Sequence, residues 1–188
     1  MGITEYWITL VSIIVGLAVT DVLANFHNLI HKRQRVKWDA LPLIWAGLTI
    51  LFIFNYWWSA AKNMDGSQSA SVVGQYVLLT IAPVLLFLMA ASVLPRDLPS
   101  DGLINMREEW EKNRSSFFMF LSLWVLFAWL NVTVIRGIFV WDLASYLRAA
   151  LLIAVVAALL LRSRLVEWMV ALFIMSITIF TISVQSVR

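Results

Sequence analysis

Residues 6–38 read YWITLVSIIVGLAVTDVLANFHNLIHKRQRVKW, a long apolar run that ends at four closely spaced basic residues. The apolar part, Tyr6–Ile30, exceeds the ~20 residues that a helix needs to cross a ~30 Å hydrocarbon core. A segment in lipid must satisfy its own backbone N–H and C=O groups, so this run has to be helical. The whole chain is similarly apolar, with 62% hydrophobic and 13% charged residues, whereas soluble domains carry about 25% charged residues.

Five further apolar runs of similar length follow the first. Together the runs predict an all-α polytopic membrane helix bundle that forms a single domain with six transmembrane helices. Six crossings return the chain to the side on which it began. The predicted spans are Tyr6–Ile30, Ala40–Ala61, Val72–Leu94, Phe117–Ile135, Leu143–Leu161 and Leu165–Val184.

The basic residues favour one side of the predicted membrane. Ten of the 14 Lys and Arg residues follow the first, third and fifth runs, where they precede the next run. Basic loops stay in the cytoplasm, so this pattern predicts that both termini lie outside the cytoplasm. The ten are Lys32, Arg33, Arg35, Lys37, Arg96, Arg107, Lys112, Arg114, Arg162 and Arg164. The other four are Lys62, Arg136, Arg148 and Arg188.

The longest segment between two runs is 96–116, which is too short to form a separate domain. Leu103, Met106 and Trp110 recur at helical spacing opposite charged residues, and this pattern predicts a short helix in the inner interface. A solvated connector and a docking surface for a cytoplasmic partner are the two interpretations of this segment. On the last helix, Arg164 and Glu167 predict an exposed ion pair at i,i+3 spacing.

Small residues recur every four positions in the first run. Such a row lets another helix approach closely enough for backbone packing. The row consists of Ser12, Gly16, Thr20 and Ala24. A second row in the fifth run consists of Ala150, Ala154 and Ala158, and the two rows predict that the first helix packs on the fifth. The same faces also suit a homo-oligomer or a membrane-complex partner.

Asp21 is the residue that costs most to place in the membrane. It lies about 22 Å into a ~30 Å core at helical rise, where an ionised Asp costs roughly 2.5–3.5 kcal/mol on insertion scales. Two roles are open: a carboxylate that handles protons or cations in a cytoplasmic vestibule, and an interhelical hydrogen bond that fixes helix register. The polar residues that would continue the vestibule are Asn25, His27, Asn28 and His31.

Few other residues suggest chemistry. His27 and His31 have the spacing of two metal ligands, but no third histidine and no H-E-x-x-H motif accompany them, so we predict neither a metal site nor a cofactor. Arg136 and Arg148 form a candidate anion-binding pair near the outer boundary. The chain has no G-x-S-x-G motif, P-loop or pair of deep carboxylates, which argues against an enzyme. The net charge of +3 reflects loops that face anionic headgroups, so no nucleic-acid partner is predicted.

Several elements of the first part of the chain resemble a group of small bacterial multi-spanning inner-membrane proteins that has no assigned function. These elements are the stretch Ser12–Asp21, the basic loop Lys32–Lys37, Trp45 with Trp57 and Trp58, Pro83, and the exit Leu94-Pro95-Arg96-Asp97. The likeness spans roughly residues 1–120. It implies a multi-pass location in a bacterial inner membrane and implies no activity.

The sequence leaves three functions open for this chain. The first is a non-enzymatic subunit or scaffold, assembled as a homo-oligomer through the small-residue faces and surrounded by membrane lipids. The second is a proton or cation channel or transporter that uses Asp21. The third is a lipid- or cofactor-binding membrane protein.

Overall fold

The protein is a bundle of long helices in the computed structural model, which describes residues 3–64, 73–96, 102–136 and 143–186. In this part of the chain 90% of the residues are helical, which confirms the all-α prediction. The helices are α1 (Ile3–His31), α2 (Ala40–Met64), α3 (Val73–Val93), α4 (Met106–Arg136), α5 (Leu143–Leu161) and α6 (Arg164–Ser186). Two short strands, β1 (Val36–Lys37) and β2 (Ile104–Asn105), lie between them.

Three helices in the described ranges are long and apolar enough to cross a membrane. They comprise Glu5–His31, Ala40–Ala61 and Met106–Leu130, while Thr80–Val93 and Ser145–Leu161 are shorter apolar helices. The outer surface is also apolar: Ile13 and Leu17 on α1 are each 56% exposed. Large apolar surfaces of this kind are unfavourable in water and match a hydrocarbon surrounding.

Each helix packs against its neighbours along the chain, and α1 also packs against α3. The most extensive contact is between α3 and α4, α1 packs on α2 and α3, and α5 packs on α4 and α6. The predicted pairing of α1 with α5 is therefore wrong for the described chain. Ala158 on α5 is fully buried against neighbours that include α4, so its small side chain serves a different partner from the one predicted.

An aromatic cluster forms the centre of the core between α2 and α4. Trp45 is fully buried and meets Phe117 and Phe118 edge-on, with ring centroids 5.2 Å apart in both pairs. Trp110 adds a fourth ring, 5.2 Å from Phe117. Offset and edge-to-face contacts of this kind stabilise the pair by about 0.5–1.5 kcal/mol beyond simple burial. The cluster therefore fixes α4 against α2.

A two-residue parallel bridge joins the segment after α1 to the segment after α3. Val36 pairs with Ile104 and Lys37 with Asn105, and both apolar members are buried. The two segments thus lie at the same end of the bundle, as the alternation of basic loops predicts. We call this the charged end, formed by residues 32–39, 94–96, 102–105 and 162–164.

α4 extends through most of the segment that was expected to lie in the interface. The helix has 31 residues, begins at Met106 and continues past Phe117 without a break, so no separate interfacial helix is present in 102–116. Met106 and Trp110 are buried whereas Leu103 is 81% exposed. Glu108 and Glu109 in the first turn favour a helix start here, because carboxylates stabilise the positive end of the helix dipole.

The reversal between α5 and α6 takes only two residues. α5 ends at Leu161 and α6 begins at Arg164, with Arg162 at φ 45°. A left-handed backbone costs a residue other than glycine roughly 1–2 kcal/mol. The left-handed conformation of Arg162 lets the chain turn back without Gly or Pro at this position, at this local cost.

A buried ion pair connects the last three helices at the charged end. Nε of Arg114 donates to Oε1 of Glu167 at 2.6 Å, and the two side chains are only 6% and 4% exposed. The guanidinium also donates to the carbonyl of Ala158 at 2.6 Å, while Nε1 of Trp110 donates to Oε2 of Glu167 at 2.8 Å. Both carboxylate oxygens therefore accept a hydrogen bond, which offsets the cost of burying the charges.

The predicted exposed pair between Arg164 and Glu167 is wrong. Glu167 faces inward to α4, and Arg164 instead binds Asp39. The i,i+3 spacing only establishes that two residues are near each other on one helix. Partners on neighbouring helices determine their actual pairing, because a buried carboxylate gains more from a buried guanidinium than from an exposed one.

Removing one member of the buried pair should destabilise the bundle strongly. We expect Arg114→Met to lower the free energy of unfolding by roughly 3–5 kcal/mol, because Glu167 would remain charged and buried without its partner. Denaturant-induced unfolding of the detergent-solubilised protein, followed by circular dichroism, measures this change.

The matched control is Arg107→Met, which breaks the exposed ion pair with Glu111. In this pair the Arg107 side chain is 60% exposed and the Glu111 side chain is 56% exposed. We expect this control to cost less than about 1 kcal/mol. The double variant Arg114→Met/Glu167→Gln should recover most of the loss, since neither charge remains. Equal losses for Arg114→Met and Arg107→Met would contradict the role given to the buried pair.

Candidate functional site

Asp21 forms an ion pair that bridges α1 and the end of α3. Nη2 of Arg96 donates to Oδ1 of Asp21 at 2.9 Å, and Nδ2 of Asn25 donates to Oδ2 at 3.3 Å. The Asp21 side chain is 23% exposed and that of Arg96 is 47% exposed. Both carboxylate oxygens thus have partners, and the negative charge has an adjacent positive one. This arrangement matches the structural role considered for Asp21 more closely than that of a free proton carrier.

Arg96 reaches Asp21 because α3 ends before the arginine. The helix stops at Val93, and Leu94 and Pro95 are buried. Proline disfavours helical geometry in the residue before it, so Leu94-Pro95 ends the helix and redirects the chain. Asp21 therefore stands level with the end of α3, while α1 continues to His31. The last part of α1 extends beyond the level at which its neighbour ends.

The other predicted vestibule residues do not gather around Asp21. Asn25 is buried and contacts the carboxylate, but Asn28, His27 and His31 are exposed. The two imidazoles stack with centroids 6.4 Å apart. Within the described ranges no three His, Cys, Asp or Glu side chains come together as a metal site would require. The structure thus assembles Asp21, Asn25 and Arg96 into one polar cluster and leaves the rest of the row at the surface.

The small-residue row of α1 faces outward. Ser12, Gly16, Thr20 and Ala24 are all exposed, and a Cβ added at Gly16 would meet no atom within 4 Å. The indole of Trp57 on α2 donates to Oγ of Ser12 at 3.1 Å. Gly16, Thr20 and Ala24 are exposed in the described chain, and we call this row of small side chains the groove on α1.

The three alanines of the corresponding row on α5 are buried within the chain to different degrees. Ala150 is exposed, Ala154 is half-buried and Ala158 is buried. Arg148 on the same helix is half-buried. The side chain of Arg136 lies outside the part that the structure describes, so the predicted pairing of these two arginines stays a prediction.

A cavity of about 250 Å³ opens at the charged end. It lies where β1, β2 and the beginnings of α2, α4 and α6 meet. Its lining residues are Lys37, Trp38, Asp39, Ala40, Asn105, Arg107 and Arg164. Three of these are cationic and one is anionic, so the lining carries a formal charge of +2.

Asp39 organises one wall of this cavity. Its carboxylate accepts hydrogen bonds from Nη2 of Arg164 and, at 3.1 Å, from the backbone N–H of Leu41. It therefore caps α2 and attaches the start of α6 to it. Burial raises the pKa of Asp39, but these hydrogen bonds and the charges of Arg164 and Arg107 outweigh burial and leave the pKa below its ordinary value.

Sequence reasoning did not find the cavity or the pairs that surround it. The signal for Asp39 was present, since an Asp directly before an apolar helical run is a typical N-cap. The pairing of Asp39 with Arg164 joins residues 125 positions apart, and no local pattern indicates such a contact. The Arg114–Glu167 pair, 53 positions apart, is hidden for the same reason.

Comparisons of the chain with protein-family models, with characterised proteins and with solved structures found no match.

The stabilising effect of Asp39 should depend on pH. Its pKa is lowered in the folded protein, so the contribution is fully present above about pH 4, the pKa of an unfolded Asp. The contribution is then lost as the pH falls through the lower folded value. We expect the difference in Tm between the wild type and Asp39→Asn to be constant from pH 7 to pH 5 and to shrink below about pH 4. A difference that stayed the same down to pH 3 would contradict this assignment.

Proposed function

We propose that this chain is a non-enzymatic integral membrane protein with six transmembrane spans and both termini outside the cytoplasm. Three helices with the length and apolarity of a span, and two shorter apolar ones in the described ranges, support membrane insertion. Most of the Lys and Arg residues that the structure describes lie towards one end of the bundle, which supports the cytoplasmic placement of that end, since basic loops are retained there. We assign it to a bacterial inner membrane on the resemblance of its first part.

Within the membrane we propose that the protein acts as a subunit or scaffold that assembles through α1. The observation that carries this proposal is the exposed row Gly16, Thr20 and Ala24, where a Cβ added at Gly16 would meet no atom of the described chain within 4 Å. Hydrocarbon solvates a Leu side chain as well as protein does, so association in lipid depends on close packing. A groove of small residues allows backbones to approach in a way that a uniform Leu and Ile surface does not.

A second copy of α1 is the occupant that fits this groove. A two-fold interface places the same patch of both copies face to face. The small-residue row of one copy then packs against the same row of the other copy. Ile13 and Leu17, each 56% exposed, flank the groove and would pack across it. Asn28 continues the four-residue spacing beyond Ala24 and is exposed, so its amide can hydrogen-bond to the partner helix.

The ion-pathway function is less well supported by the same geometry. A carboxylate that conducts protons needs further polar groups that continue the route, whereas Asn28, His27 and His31 lie at the surface and do not gather around Asp21. Asp21 has Arg96 on one oxygen and Asn25 on the other. The arrangement favours a latch between α1 and α3 over a conducting group.

The assembly proposal predicts that a Leu substitution has different effects at two glycines that both have free space around them within one chain. Neither Gly16 nor Gly47 has an atom within 4 Å of an added Cβ, so Leu at either position should leave the fold intact and slightly raise helix propensity. We expect Gly16→Leu to abolish the oligomer, because its side chain would fill the groove, and Gly47→Leu to leave it unchanged. Native mass spectrometry after mild extraction measures the mass of each complex. A monomeric wild type, or equal effects of both variants, would refute the proposal.

Asp21→Asn distinguishes the scaffold from the ion pathway. The amide retains a hydrogen-bond acceptor for Arg96 and loses only the charge, so we expect a folded protein with unchanged oligomer mass. Proteoliposomes that contain this variant should show the same proton permeability as those that contain wild type. A wild-type proton flux that Asp21→Asn removes would favour the ion-pathway function instead.

A further inference from the structure

The cavity at the charged end has the composition of an anion site. Lys37, Arg107 and Arg164 line it, and Asp39 is the one acidic residue among the described residues of the lining. Asp39 already binds Arg164, so this pair leaves Lys37 and Arg107 as excess positive charge. Lys37 forms no ion pair with any described residue, and Arg107 forms its ion pair outside the cavity, with Glu111 at 3.0 Å.

The directions of the helices add to this positive field. α2, α4 and α6 all begin at the cavity, with Ala40, Arg107 and Arg164 in its lining. The N-terminal end of each helix carries about half a positive charge. Capping by Asp39 and Asn105 satisfies individual N–H groups, but Asn105 brings no charge. Lys37 and Arg107 and the helix ends therefore make the field at the cavity positive, although Glu108 and Glu109 in the first turn of α4 offset part of that helix's contribution.

The remaining lining suggests the size and the surroundings of the ligand. A volume of about 250 Å³ lies below the about 300–1,000 Å³ of pockets that enclose drug-sized ligands, so the cavity suits a small charged group. Trp38 at its edge is 43% exposed, and an exposed indole beside a basic loop is typical of the membrane interface. Guanidinium and ammonium groups together are the donors that bind phosphate oxygens.

We propose that this cavity binds a phosphate ester through Lys37, Arg107 and the N–H groups of Arg164 that Asp39 does not use. The phosphate belongs either to the headgroup of an anionic phospholipid or to a small soluble phosphate ester. The lipid source rests on the membrane placement proposed above, and the soluble source does not. Basic pockets at the cytoplasmic ends of transmembrane helices are suited to anionic headgroups.

Titration of the full-length, detergent-solubilised protein followed by native mass spectrometry tests this proposal in two arms. One arm uses phosphatidylglycerol and the other uses glycerol 3-phosphate. We expect a single saturable adduct in at least one arm. An adduct with phosphatidylglycerol alone identifies a headgroup site, and adducts in both arms identify recognition of the phosphate itself.

Matched variants connect the adduct to the cavity. Lys37→Gln and Arg107→Gln should each weaken binding about fivefold, the effect of one basic residue near an anionic surface. Lys37→Arg should retain binding. Arg33→Gln removes the same charge from the same loop outside the cavity lining and should bind as wild type does. Circular dichroism establishes that each variant is folded.

Two results would overturn the proposal: no adduct in either arm, or equal weakening by Arg33→Gln and Lys37→Gln. The Gly16→Leu variant separates this proposal from the assembly proposal. It should lose the oligomer and retain the adduct, because α1 contributes no residue to the cavity lining.

Discussion

The buried pair of Arg114 and Glu167 is the interaction on which the arrangement of the bundle depends. A charge in an apolar bundle is tolerated only with a partner and satisfied hydrogen bonds, and this pair obtains both from α4, α5 and α6. Asp39 and Arg164 then attach α6 to α2, and Asp21 and Arg96 attach α1 to α3. Each helix is thereby connected to another through charged or hydrogen-bonded groups at the same end.

The two proposed functions depend on different parts of the molecule. The long apolar helices satisfy their own backbone polar groups, as lipid requires. The groove on α1 is the feature of this apolar part that the assembly proposal uses. At the charged end Asp39 is paired with Arg164, and Lys37 and Arg107 line a cavity. Assembly in the membrane and recognition of an anion at its surface would therefore use separate surfaces.

The sequence predicted the features that depend on local periodicity and composition. The helical class, the positions of α2 and α5 and the side-by-side location of the first and third basic loops all follow from apolar runs and alternating charge. Contacts between distant residues were not predictable: Glu167 was predicted to be exposed because its local neighbour is Arg164. The fourth span was predicted to begin at Phe117, after a separate interfacial helix, because charged residues precede it. The first error arises because a charged residue can be buried when a partner on another helix compensates its charge. The second arises because exposed charged residues such as Arg107 and Glu111 can continue a helix beyond its apolar run. The row on α1 was recognised, but its spacing could not distinguish a partner within the chain from one outside it.

The most direct test of the central claim locates the charged end relative to the membrane. The chain has no cysteine, so Gln34→Cys, exposed in the loop after α1, and Glu5→Cys, exposed near the start of α1, each introduce a single reactive thiol. In intact bacterial cells an impermeant maleimide should label Glu5→Cys at once and Gln34→Cys only after the membrane is opened. Labelling of Gln34→Cys in intact cells, with Glu5→Cys protected, would contradict the orientation on which the account rests.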